Sequence, residues 1–246
     1  MMDVLTLDVA LFLGATFLAA LIAGAAGFAF GLIAAAVWLH VLTPLQTATL
    51  IIAFGLIVQG AAVWKLRNSL HWPRLAPFLA GAVIGVPIGV AILGWADPNA
   101  IRLVVGAVLV AYSLYGLLRP AMKPITAGAA SDTAVSVLNG ILGGATGLAG
   151  ILVTIWCGLR AWPKDVQRTV FQPVGVAVFA LSAIFLGARG NIDLATLRLF
   201  LLGLPILLAG TWLGLRLYAR LDEAGFRKIV LVLLLGSGLA LVFAPS

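Results

Sequence analysis

Residues 9–43 read VALFLGATFLAALIAGAAGFAFGLIAAAVWLHVLT, 35 residues without a charged side chain, and Pro44 follows them. As one straight helix this stretch would run roughly 50 Å at 1.5 Å per residue. That overshoots a hydrocarbon core of about 30 Å, while two full crossings need about 40 residues plus a turn. Its middle is glycine-rich, with Gly24, Gly27 and Gly31. Such glycines can serve close helix–helix packing in a membrane. They can equally break the helix, giving either one broken span or a re-entrant hairpin. Proline is favoured in the first turn of a helix. Pro44 therefore predicts a new helix over 44–64, stopping at Lys65 and Arg67.

The rest of the chain fits an all-α, polytopic membrane protein forming one transmembrane domain over 1–246. Of its 246 residues 63% are hydrophobic and 9% charged, against about a quarter charged in soluble domains. Beyond 9–64, the stretches 75–96, 103–118, 133–159, 169–188, 199–215 and 229–246 also lack charge. Each is compatible with one spanning helix whose end charges snorkel to the interface. The net charge of +7 sits in short gaps between these stretches. It follows the positive-inside pattern of loops and gives no nucleic-acid-binding stripe. Asp3 and Asp8 precede the first stretch where a cleavable signal would carry basic residues. Cys157 lies inside an apolar run and reads as a packed small hydrophobe.

A second glycine-broken segment occurs at 133–159. Gly140, Gly143 and Gly147 stand 116 residues after Gly24, Gly27 and Gly31. Gly85, Gly89, Asp97 and Arg102 recur 125 residues later as Gly210, Gly214, Asp222 and Arg227. Pro44 and Pro163 open comparable helices. Two homologous halves are expected, about 1–120 and 130–246, each with one Gly-broken segment and three spanning helices. Internal repeats of this kind mark many secondary transporters.

Charge tests the topology. If both glycine segments cross once, the basic residues divide almost evenly. If both enter and return on one side, all 15 Lys and Arg except Arg102, Arg189 and Arg198 share a side. That bias sets this side in the cytoplasm. It gives inverted repeats, both termini outside, and a multi-pass protein of the inner (plasma) membrane.

Backbone that leaves the helix at membrane depth needs protein or a water-filled cavity around it. At a hairpin tip, the returning arm presents a helix N-terminus whose free N–H groups and dipole attract anions. The candidate binding residues are Gly24, Gly27, Gly31, Gln46, Thr49, Asn139, Gly143, Gly144, Thr146, Gly147, Arg168 and Gln172. Arg168 and Gln172 are spaced i, i+4 and share a helix face. Thr47, Thr49 and Gln59 have the plainer alternative of interhelical hydrogen bonding. The tryptophans, from Trp38 to Trp212, sit near span ends as an interfacial belt would. Pro87, Pro173 and Pro205 predict kinks. No Asp or Glu falls inside a predicted span, so anions held by backbone and amide groups are favoured over proton-relay carboxylates. His40 and His71 make no metal site with their neighbours. No P-loop, nucleophile-elbow or HExxH signature appears. Neither an enzyme nor a cofactor is expected.

The segments Gly24-Ala-Ala-Gly-Phe-Ala-Phe-Gly31 and Gly140-Ile-Leu-Gly-Gly-Ala-Thr-Gly147, each followed by a proline-opened helix, resemble the TauE/SafE sulfite exporter family. The run Trp162-Pro-Lys-Asp-Val-Gln-Arg168-Thr-Val-Phe-Gln172 looks like the helix opening after that family's second glycine segment. The resemblance covers nearly the whole chain. It implies a transporter of sulfite, sulfonates or related organic anions. The chain departs from the family at Ala25-Ala26 and Phe28-Ala29-Phe30, a bulkier first tip than the family's denser glycine run. The resulting expectation is a secondary transporter working by alternating access around a midplane site. Its partners are a small anionic solute and the lipid bilayer, with no nucleic acid and a homodimer left open. The alternatives are an anion channel or a non-catalytic subunit of a membrane assembly.

Overall fold

The computed structural model describes residues 2–26, 30–118, 124–188, 193–217 and 223–243. The chain runs through α1 (Met2–Ala26), α2 (Phe30–Val41), α3 (Pro44–Leu66), α4 (Trp72–Trp95), α5 (Pro98–Leu118), α6 (Ala129–Thr146), α7 (Ile151–Leu159), α8 (Lys164–Ala188), α9 (Leu194–Leu217) and α10 (Glu223–Phe243). A 3-10 turn, Arg67–Ser69, follows α3. The described residues contain no strand. Among the described residues, six helices are long and apolar enough to cross a membrane: α1, α3, α4, α5, α8 and α9. Val83, Ile84, Ile184, Leu201 and Leu208 lie exposed on their outer faces, a surface suited to lipid and far too apolar for water. The protein is thus an all-helical, multi-pass membrane protein.

Several helices run beyond the charge-free stretches. α5 starts at Pro98 and takes in Arg102, α8 takes in Arg168, and α9 takes in Arg198. Helices continue into the interfacial zone, where long basic side chains reach water.

The two glycine-broken segments are helical hairpins. The Trp38 indole N–H donates to the Phe12 carbonyl at 3.3 Å, and the two rings lie 5.0 Å apart. In one continuous helix those residues would sit about 39 Å apart, so the chain reverses between α1 and α2. In the second segment, Arg160 pairs with Asp132 at 2.6 Å, and the Trp156 indole donates to Asp132 Oδ1 at 2.8 Å. The start of α6 therefore lies beside the end of α7.

Two expectations need correction here. α6 begins at Ala129, four residues before the predicted span, and it carries Asp132, 6% exposed. A carboxylate is tolerated there because Arg160 and Trp156 satisfy it. Trp38 is no interfacial anchor: it is fully buried against Phe12, Phe30 and Phe54. Trp64, Trp72, Trp95 and Trp212 do lie exposed at or near helix ends. Pro87, Pro173 and Pro205 stand inside helices that continue through them.

Packing follows a reciprocal scheme. α4 packs on α6, and α9 packs on α1. α3 packs on α8, and α5 on α10. A Cβ on Gly85 would lie 2.2 Å from the Val137 carbonyl oxygen, and one on Gly89 2.2 Å from that of Ile141. Only glycine permits this approach, which brings the backbones of α4 and α6 together in parallel. Between α1 and α9, Gly24 meets Thr211 and Gly210 meets Phe17, again in parallel. Between α3 and α8 the order reverses: Gly55 meets Phe179 and Gly175 meets Gln59. Between α5 and α10, Gly106 meets Gly238 and Gly116 meets Leu231, also antiparallel. In lipid, such contacts draw on dispersion, because no hydrophobic drive acts between helices.

Candidate functional site

The second hairpin tip runs from Thr146 to Ile151. Gly147 has φ of +77° and Gly150 of +92°, backbone that glycine adopts without a Cβ penalty. The Gly147 N–H donates to the Gly143 carbonyl at 2.8 Å and caps α6. The Thr146 hydroxyl donates to the Leu142 carbonyl at 2.7 Å and accepts from the Leu148 N–H at 3.2 Å. The Gly150 N–H donates to Asn139 Oδ1 at 3.0 Å. Asn139 is fully buried, and its Nδ2 has no partner among the described residues. After this turn α7 starts with no side-chain cap. Helix geometry leaves the N–H groups of Ile151, Leu152 and Val153 without intrahelical acceptors.

The start of α2 comes to the same place. A Cβ on Gly31 would lie 3.5 Å from the Gly147 carbonyl oxygen and 3.0 Å from the Ile51 side chain. Phe30, Gly31 and Leu32 from one tip and Gly147–Ile151 from the other bound a cavity of about 40 Å³. The middle of α3 and α8 completes it through Gly55, Gln59, Phe171 and Phe179, with Tyr112 from α5 and Thr154 from α7. A cavity of this size holds only a few water-sized bodies. Two helix N-termini face it, no acidic side chain among the described residues lines it, and its far walls are aromatic.

A larger vestibule of about 290 Å³ adjoins the cavity. Ala23, Gly24, Val58, Lys65, Arg168, Gln172 and Thr211 are among its walls. Gln59 lines both spaces. Two cations thus guard the approach to a cavity with an amide at its door.

The structure distributes the sequence candidates unevenly. Gly31 and Gly147 line the cavity. Gly24, Arg168 and Gln172 line the vestibule, with Gly24 also seated against α9. Asn139 and Thr146 build the second tip from behind. Gly143 packs against Val178 and Gly144 against Val86. Thr49 is buried, its hydroxyl without a partner among the described residues, and it lines neither space. Gln46 serves the capping box of α3: its N–H donates to the Thr43 hydroxyl, and its Oε1 accepts from the Thr43 N–H. Gly27 lies outside the described residues. The sequence passed over Gln59 as a packing amide, and over the aromatic walls altogether. A lone amide in the middle of an otherwise apolar span is the signal that could have singled out Gln59.

Comparison with known proteins agrees with the architecture. A family model described as "Sulfite exporter TauE/SafE" matches residues 12–241. A protein of Cupriavidus necator named "Probable sulfite/organosulfonate exporter TauE" is 25% identical over 226 residues, covering 88% of this chain and 86% of that protein. No solved structure matches the chain.

Proposed function

This chain belongs to the TauE/SafE sulfite exporter family, a family of membrane transporters and not of enzymes, and on that premise we propose that it is a secondary transporter of small anions such as sulfite or short organosulfonates. The observation that carries the reading is the cavity between the two hairpin tips. The start of α7, which has no side-chain cap, and the start of α2 bring N–H donors and positive partial charge to one small space. Each charge-assisted hydrogen bond there contributes about 1.5–3 kcal/mol. The rings of Phe30, Phe171 and Phe179 suit a short apolar tail on the anion. Lys65 and Arg168 raise the local anion concentration at the vestibule.

The mechanism proposed is alternating access by two inverted halves, about 1–120 and 130–246. Several contacts support it. Gly24 and Gly140 are 116 residues apart, and they meet Thr211 and Val86, which are 125 apart. Gly55 receives Phe179 as Gly175 receives Gln59, a register of 120 between equivalent helices. Equivalent helices that cross antiparallel, as α3 does on α8 and α5 on α10, require a two-fold axis perpendicular to the helices. With the helices crossing the bilayer, that axis lies in the membrane plane, as in inverted-repeat carriers. The basic residues then set the Lys65–Arg168 mouth in the cytoplasm, with both termini outside, in the inner membrane.

Purified protein in liposomes tests the reading. Saturable, protein-dependent flux of sulfite or methanesulfonate is expected, accelerated by the same anion on the far side. Flux without such counterflow would replace the carrier with a channel. No saturable flux of any small sulfur oxyanion would sink the reading.

A further inference from the structure

We propose that Gln59 and Phe179 are paired gating residues at equivalent positions of the two halves. Gln59 forms the gate toward the Lys65–Arg168 vestibule, and Phe179 forms the gate on the opposite side. This inference rests on the alternating-access reading above.

The seats of the two side chains are alike. A Cβ on Gly55 would lie 2.5 Å from the Phe179 ring, and a Cβ on Gly175 would lie 2.4 Å from Gln59 Oε1. In each case a glycine on the facing helix makes the room. The occupants differ in size, chemistry and exposure. Phe179 is 2% exposed and closes one flank of the cavity. Gln59 is half-buried and borders both cavity and vestibule. Because α3 and α8 run antiparallel, Phe179 sits one helical turn farther than Gln59 from Lys65 and Arg168.

What lies behind each gate differs as well. From the cavity wall at Phe30, the rings of Phe54, Trp38, Phe12 and Phe200 continue the seal, neighbouring centroids 5.0–6.0 Å apart. Behind Gln59 is the open vestibule. At the position of α8 equivalent to Phe54, in the register of 120, stands Val174. The ring that thickens one gate is thus missing from the other. In an inverted pair, exchanging the two seats exchanges which side is open. The state seen here has Phe179 seated and Gln59 unsealed. The alternate state would draw Gln59, which already rests against Gly175, out of the vestibule into full burial and release Phe179 from Gly55.

A cysteine reporter in the cavity reads this without any substrate. In a Cys157→Ala background, Ala149→Cys lines the cavity. A membrane-impermeant methanethiosulfonate is applied to vesicles from one side or the other. In the parent, modification is expected from the Lys65 side. Gln59→Phe builds on Gly175 the seat that Phe179 has on Gly55, and it should slow that modification about tenfold, as a population shift of that size would. Gly55→Ala evicts the Phe179 ring and should open the reporter to the opposite side. Size-exclusion profiles report folding, and Gln59→Leu and Phe179→Ala serve if either variant misfolds. Unchanged sidedness in folded variants overturns the gate assignment, whatever the flux. Shifted sidedness with no anion flux leaves the gates standing and removes the transport reading beneath them.

Discussion

Asn139 is the most informative position to change, because its amide separates building the tip from binding at it. Its Oδ1 accepts the Gly150 N–H at 3.0 Å inside a fully buried environment. Asn139→Ala leaves that N–H without an acceptor, which costs about 1–3 kcal/mol. If the tip then spends that much less of its time in the binding geometry, the apparent Kd for the anion rises about 5- to 150-fold. Asn139→Asp acts differently. The acceptor remains, so the tip keeps its bond, now to an ionised oxygen. A charge roughly 6 Å from a bound monoanion costs about 3 kcal/mol at an effective dielectric constant of 20. That is about a hundredfold in affinity. The measurements are thermal unfolding in detergent and the concentration dependence of flux. Asn139→Ala should lose stability and affinity in step, whereas Asn139→Asp, whose unpaired buried charge is itself a cost to folding, should lose about a further hundredfold in affinity beyond its loss of stability. Wild-type affinity in Asn139→Asp would refute the placement of the anion at this tip.

Other predictions follow from the same geometry. Gly85→Ala should destabilise by about 1–3 kcal/mol, since the facing Val137 carbonyl cannot swing aside. Gly14→Ala, whose Cβ would meet nothing within 4 Å, should be neutral or gain up to about 1 kcal/mol; chemical unfolding in detergent compares the two. Asp132→Asn leaves the Arg160 charge unpaired at 16% exposure, and a loss of about 3 kcal/mol is expected. Arg160→Leu combined with Asp132→Asn should restore part of that loss, and a double-mutant cycle measures the coupling. Lys65→Gln with Arg168→Gln should raise the flux KM several-fold and flatten its salt dependence while leaving the maximal rate nearly unchanged. Asp193 lies exposed at the start of α9, and hydrogen bonds from the Thr196 hydroxyl and N–H hold its carboxyl below the ordinary range. Its contribution is present above pH 3.8 and fades as pH falls through the lowered folded value. Asp193→Asn should therefore flatten the acid limb of the unfolding curve.

A break in the first segment was legible in the sequence because length sets a hard limit, 35 apolar residues fitting neither one crossing nor two. The second hairpin was legible only through the glycine repeat and the distribution of charge. The paired offsets were legible because glycine seats cannot drift without separating backbones. The division of labour among the glycines was hidden. Gly143 and Gly147 look alike in the sequence, yet one faces Val178 and the other the cavity. A glycine carries no side chain whose chemistry would distinguish the two roles. Gln46 misled for a related reason, since an amide at the third position of a helix has a local use in the capping box that competes with any distant one. Asp132 was missed because the charge that ended the apolar stretch was itself buried, held by a partner 28 residues away. Trp38 was assigned to the interface because its indole N–H usually seeks water. Its actual acceptor, the Phe12 carbonyl, becomes reachable only once the chain reverses.

The departures from symmetry say more about mechanism than the symmetry does. Two identical halves would place identical gates on both sides of the cavity, and the two end states would then have equal energy. This chain instead sets a ring opposite Gly55 and an amide opposite Gly175. Burying a ring gains apolar contact without loss, whereas burying an amide requires partners for its carbonyl and N–H groups. On the proposed gating, the apo protein would favour the state with Phe179 seated and Gln59 at the edge of the vestibule. A bound anion changes that balance if its acceptor oxygens satisfy the Gln59 N–H groups, because sealing the amide then no longer strands a donor. Ligand and gate would close together by the same hydrogen bonds, which couples occupancy to the exchange of access that a carrier requires.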